Sequence, residues 1–199
     1  MSKKKTAVLL YDDFSNYEFS VMLSMFFQAG KPYTTFSLTK EPVKSEEGLN
    51  VVCDALVEDL NIEEFDSLVL TGCMDLEPII NEERIYSFLK QFDLPRIKIA
   101  SISSTPFLLA RAGLLKNKRY LAGMLKEELL KHGHTTIEEL EGMVDIAEYR
   151  ESYEEIGHFI KDGNIITSVG AFFIEWAIEF GKMLELDFEP GWYGDFNKE

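Results

Sequence analysis

A chain of 199 residues is long enough for one full α/β core, and its formal net charge of −15 is spread along the chain rather than gathered in a tail. A surface of that sign repels phosphate backbones and anionic lipid, so neither nucleic acid nor a membrane is an expected partner. No apolar run reaches the roughly 18 residues of a spanning helix, and the basic Ser2-Lys3-Lys4-Lys5 leads into a strand rather than a secretory apolar core.

In chain order, Lys5 to Tyr11 is a continuous apolar run, the signature of a strand covered on both faces. Asp12-Asp13 turns it. Ser15-Asn16-Tyr17-Glu18 has capping-box form at the start of a helix running to about Ala29, which Gly30 closes and Pro32 follows. Tyr33 to Leu38 alternates and predicts a second strand, and Val43 to Ala55 predicts a short hairpin or excursion. Phe65 to Leu70 is a further buried strand, ending at Thr71-Gly72-Cys73. Asn81 is placed to cap a helix over Glu82 to Phe92, with Ile85, Phe88, Leu89 and Phe92 on one face.

The next stretch, Ile97 to Gly113, organises the rest. It begins as a buried strand, ends as a helix with Gly113 at its C-cap, and leaves about two residues for the corner. Pro106 suits the first helical turn, where its missing N–H costs nothing. The corner residue is Ser103, with small neighbours Ser101 and Thr105 two positions away on either side. This is the spacing of a nucleophile elbow, which throws its central side chain into an open crevice above freed helix N–H groups. The same spacing also suits a plain strand-turn-helix connection with a serine N-cap.

Beyond it, Leu114 to Ala122 is a basic connection with a short strand at Arg119 to Ala122, and Leu125 to Lys131 is a short helix stopped by Gly133. Met143 to Tyr149 and Ile156 to Ile160 read as strands. Asp162-Gly163 is a hairpin signal leading into Asn164 to Thr167. The last helix runs from near Ala171 to Leu184 and is apolar on most sides, so it is expected against the sheet. The tail, Phe188 to Phe196, is too aromatic to float in water and should pack on this subunit or a neighbour. Strands alternating with helices at this length predict one doubly wound, mostly parallel α/β domain spanning 1–199, with a core at about 5–184 and the tail at 187–199. In such a sheet the loop at Asp12 to Glu18, Gly72-Cys73 and Ser103-Ser104 converge at the carboxyl ends of the strands. Cys53 and Cys73 stand apart without metal-ligand spacing, so no metal or cofactor is expected and a reduced cytoplasm is the simplest compartment.

Taken in order, these pieces resemble the ThiJ/PfpI superfamily, relatives of the class I glutamine amidotransferase domain with a flavodoxin-like fold. They are Asp12-Asp13-Phe14 and Glu18 after the first strand, Gly72-Cys73, Ile102-Ser103-Ser104-Thr105-Pro106, Ala112-Gly113-Leu114-Leu115, and Asp162 to Ser168 before an aromatic last helix. The resemblance runs from about Lys5 to Leu184. It implies a low-pKa cysteine at the position of Ser103 and a partner glutamate at Glu18. It also implies an oxyanion hole from the backbone N–H groups of Cys73 and Ser104, and a homodimer. The family's histidine positions match Ser104 and, roughly, Gly123, so both thiol and histidine are missing here.

A serine hydroxyl has essentially no alkoxide at neutral pH and needs a positioned base. Glu18 is the one candidate the motif supplies; His132, His134 and His158 are others whose direction the sequence does not fix. Cys73 is at the mouth of the same crevice, either as a displaced thiol or as an inert buried one. Two functions are therefore expected of the catalytic pair Ser103 and Glu18 and the ligand-binding positions Gly72, Cys73, Ser104 and Thr105. One is a non-cysteine protein that binds a small anionic or carbonyl ligand with little or no turnover. The other is a slow serine-dependent hydrolase or amidase of intracellular-peptidase type.

Overall fold

The computed structural model describes residues 4–133 and 135–194. The chain runs β1 (Lys5–Leu9), α1 (Tyr17–Ala29), β2 (Tyr33–Ser37), β3 (Val43–Lys44), β4 (Asn50–Val51), β5 (Ala55–Leu56) and β6 (Phe65–Leu70). Then come α2 (Glu77–Ile80), α3 (Glu83–Leu89), β7 (Lys98–Ile102), α4 (Pro106–Arg111), β8 (Tyr120–Leu121), α5 (Lys126–Lys131) and β9 (Met143–Val144). It closes with α6 (Ile146–Glu151), α7 (Tyr153–Ile156), β10 (Phe159–Asp162), β11 (Ile165–Ser168) and α8 (Phe173–Met183).

The main sheet has the order β10-β11-β7-β6-β1-β2-β5 and is parallel except for the β10–β11 hairpin at its edge. After β1 the chain moves outward through β2 and β5, then returns to the other side of β1 as β6. The order therefore switches between β1 and β6, and their carboxyl ends open a crevice beside that of β7. β1, β6, β7 and β11 are buried almost throughout because helices cover them, α1 packing on α8 and α3 on α4. Trp176 and Phe180 of α8 are completely buried, as the apolar run predicted.

Several expectations need correction. Ser15 to Glu18 forms no capping box: α1 has no side-chain cap from its own segment. Instead the Glu47 carboxylate, from the β3–β4 hairpin, accepts the N–H groups of Asn16 (3.0 Å) and Tyr17 (3.1 Å). An anion there meets both the unsatisfied donors and the positive end of the helix. Asn81 closes α2 rather than capping α3, because Pro78 starts a helix earlier than the periodicity suggested. Met143 to Tyr149 is strand only at β9: the Asp145 carboxylate takes the N–H groups of Ala147 (3.0 Å) and Glu148 (2.9 Å) and starts α6. Ile156 is the end of α7, and the strand begins at Phe159.

The tail folds back over α1. Tyr193 accepts from Gln28 (2.9 Å) and donates to Ser24 (3.0 Å), while Trp192 stays exposed; Asp195 and Phe196 lie outside the described residues. No helix among the described residues is long and apolar enough to cross a membrane.

Candidate functional site

Between Ile102 and Pro106 the backbone turns from β7 into α4, and Ser103 takes a φ of +62°. For a residue with a side chain this left-handed conformation costs about 1–2 kcal/mol. It persists because the backbone is held on both sides: Ser103 N–H donates to Ser168 O (2.8 Å) and Gly123 N–H donates to Ser103 O (2.7 Å). The half-buried Ser103 side chain is thereby turned out at the carboxyl end of the sheet.

Glu18, in the first turn of α1, is 3% exposed and faces the same point. Its Oε2 accepts the Gly72 N–H (2.8 Å), and Tyr17 donates to its Oε1 at 3.4 Å. Burial pushes its carboxyl up to about 7, against hydrogen bonds from the Ser103 hydroxyl and the Gly72 N–H that hold the rise in check. The Glu46 carboxylate adds to the rise.

Two glycines make the approach possible. A Cβ on Gly72 would lie 2.3 Å from both Glu18 Oε2 and Ser103 Cβ, and one on Gly170 would lie 2.2 Å from Glu18 Oε1. Gly72→Ala should therefore cost about 1–3 kcal/mol, the usual range for overpacking. A melting-temperature drop in the variant checks it, and an unchanged value would show that Glu18 and Ser103 are not wedged together at this backbone.

The backbone amides facing the elbow are mostly spent. Gly72 N–H goes to Glu18, Cys73 N–H to Ser104 Oγ (3.2 Å) and Met74 N–H to Glu46 Oε2 (3.0 Å). Of the two amides expected to form an oxyanion hole, only that of Ser104 has no partner among the described residues. Ser104 Oγ also donates to Cys73 O (3.0 Å) and contacts Cys73 Sγ (3.3 Å). Burial raises the Cys73 thiol to about 11, which disfavours its thiolate at neutral pH. Thr105, expected at the ligand, is fully buried, and its hydroxyl ties the turn to Leu70 O, Ile102 O and Ser101.

No described histidine serves Ser103 as a base. His158 stacks on Phe172 (4.7 Å between centroids) and meets the Tyr153 hydroxyl through Nε2 (3.1 Å), while His132 pairs with Glu128 on its own helix. His134 lies outside the described residues. At Gly123 a Cβ would lie 3.3 Å from the Ser103 backbone, a tight approach.

Ser15 and Tyr17 lie in the loop at Asp12 to Glu18 that is expected at the site, whereas Glu46 and Gly170 come to it from remote segments without a local signal. Beside the elbow, a groove of about 350 Å3 is lined by Met74, Leu76, Ile80, Met124, Leu129 and His132, which follow on from Cys73 and Gly123.

The DJ-1/PfpI family profile matches residues 4–183. A deglycase from Pyrococcus abyssi is 23% identical over 183 residues, covering 91% of this chain and 99% of its own. A putative cysteine protease from Bacillus subtilis is 27% identical over 116 residues, 58% of this chain and 69% of its own. The crystal structure of a DJ-1 superfamily protein from Agrobacterium tumefaciens superposes with a TM-score of 0.76 at 20% identity, over 94% of this chain and 93% of that one. With the parallel sheet, the strained corner after β7 and the glutamate beside it, these matches establish that the chain belongs to the DJ-1/PfpI family.

Proposed function

We propose that this protein binds a small carbonyl-bearing ligand at the elbow and performs little or no cysteine-type chemistry. The observation that carries the reading is the free Ser104 N–H beside the Ser103 hydroxyl and the buried Glu18, with the neighbouring amides already taken. One donor suits a neutral carbonyl oxygen. An anion would lack the second and third donors it needs and would face two carboxylates, so the anionic option is the weaker one.

Catalysis of acyl transfer would need more. Loss of a single oxyanion-hole donor typically costs about 10²–10³ in rate, and here the Cys73 amide is committed to Ser104 Oγ. The Glu18 carboxyl, near 7 and hydrogen-bonded to Ser103, favours a second reading as base for a slow serine hydrolase. Relatives named deglycase and putative cysteine protease are consistent with chemistry at this position of the fold.

The test is an amide-resolved NMR titration with propanamide, alongside a fluorophosphonate probe and Ser103→Ala as control. The expected result is a saturable shift of the Ser104 N–H and no labelling. Labelling that disappears in Ser103→Ala would favour the hydrolase, and the absence of any shift at Ser104 would overturn ligand binding at the elbow.

A further inference from the structure

The side chain of Met74 is 91% exposed, although its backbone is held. Its N–H donates to Glu46 Oε2 (3.0 Å), and Cys73 before it is tied to the Ser104 hydroxyl through both N–H and O. A bare thioether on a fixed backbone is not the by-product of a loose loop. Methionine is unbranched and polarisable and fits irregular apolar shapes. Met22, Met25 and Met143 do so inside the core, whereas Met74 lines the groove of about 350 Å3 beside the elbow.

Two segments carry the elbow's own contacts into that groove. Met74 is one peptide bond from Cys73, the partner of Ser104. Met124 is one peptide bond from Gly123, whose N–H donates to Ser103 O (2.7 Å). Leu76, Ile80 and Leu129, each no more than 5% exposed, complete the apolar lining. The polar groups along it are engaged with the protein itself. Asp75 Oδ1 accepts the Glu77 N–H (2.9 Å), and the Glu128 carboxylate meets His132 (3.5 Å) and Lys131 (3.9 Å). No lysine or arginine is among the described residues that line the groove. What it has to offer a ligand is apolar surface, in a volume within the range of about 300–1,000 Å3 usual for small-molecule sites.

We infer that the ligand held at the elbow is an aliphatic amide, or a like carbonyl compound, whose hydrocarbon chain lies in this groove against Met74, Met124 and Leu129. The inference rests on the carbonyl-binding reading above and adds the chemical class of the ligand. The carbonyl oxygen meets the Ser104 N–H, and the chain leaves it between the 73–74 and 123–124 segments. A carboxylate at the far end of the chain would meet Asp75, Glu77 and Glu128 with no cation to replace its hydration.

Three amides provide the test: propanamide, hexanamide and 5-carbamoylpentanoate, which has a carboxylate where hexanamide has its methyl group. Calorimetry measures affinity. The Ser104 N–H shift reports the elbow, and the methyl signals of Met74 and Met124 report the groove. A methylene buried in an open apolar groove is worth about two- to fourfold in affinity. Hexanamide has three more than propanamide, so it should bind roughly 8- to 60-fold more tightly. It should also move both methyl signals, which propanamide leaves in place. 5-Carbamoylpentanoate should bind no better than propanamide. Met74→Ser changes an exposed side chain and should fold as the parent does. It should cut the hexanamide-to-propanamide ratio about threefold, as should Met124→Ser.

Equal affinity for hexanamide and propanamide, with Ser104 responding to both, overturns the inference and leaves the carbonyl site intact. Tighter hexanamide with unmoved methyl signals, or with a ratio that neither variant changes, overturns it too, since the chain then lies elsewhere. Methyl signals that shift with protein concentration in the absence of any amide would give the groove to a second copy and overturn it as well. A Ser104 N–H that responds to none of the three sinks the carbonyl reading itself.

Discussion

Ser103→Cys should create a reactive thiol where none now exists. An ordinary cysteine near pKa 8.5 is about 3% thiolate at neutral pH, whereas a serine hydroxyl has essentially no anion. The chain's own thiols make a clean background. Burial raises Cys73 to about 11 and also raises Cys53, which is half-buried. At pH 7 the introduced thiol should be alkylated by iodoacetamide roughly 300-fold faster than Cys73, from the ratio of thiolate fractions alone. Peptide mapping of alkylation time courses measures it. A rate no faster than that of Cys73 would mean that the elbow side chain is not turned out to the crevice.

The second large effect is in stability. Glu18 rises from an ordinary value of 4.5 to about 7 on folding, so the folded state binds its proton more tightly than the unfolded chain does. For an acid with a raised folded value, the contribution is greatest below 4.5. It is lost as pH rises toward 7 and is level above that. The loss is about 3 kcal/mol at most, or roughly 6–12 °C in melting temperature for a chain of this size. Glu18→Gln keeps an acceptor for the Gly72 N–H and never ionises. Melts at pH 4.5 and pH 8 should show the parent losing that much more than the variant, so that Glu18→Gln is the more stable protein at pH 8. Parallel profiles would contradict a buried carboxyl at this position.

These two residues were legible in the sequence, and their surroundings only partly so. Ser103 announces itself because a strand, small neighbours and Pro106 leave the chain a single sharp corner. Gly72 is legible as a strand end, and the structure adds that it is the contact plane between Glu18 and Ser103. Glu18 was visible, but its local pattern spelled a helix cap. That duty falls instead to Glu47, some 30 residues away on a hairpin, which frees Glu18 to turn inward. Nothing local signals such an exchange.

The capture of the Cys73 amide by Ser104 is of the same kind, since it depends on two strand ends meeting side by side. The stretch from Met143 to Tyr149 departs from its strand pattern for a different reason. Its alternation fits a strand, yet Asp145 within it is a helix N-cap, and the cap prevails after two residues.

Glu18 is an acid buried against the elbow serine. A carbon-detected NMR titration of the Glu18 carboxyl, repeated in Ser103→Ala, examines that pairing directly. A midpoint near 7 that moves up when the hydroxyl is removed is the predicted result, because the Ser103 hydrogen bond now holds the value down. A midpoint near 4.5 that ignores the substitution would contradict it.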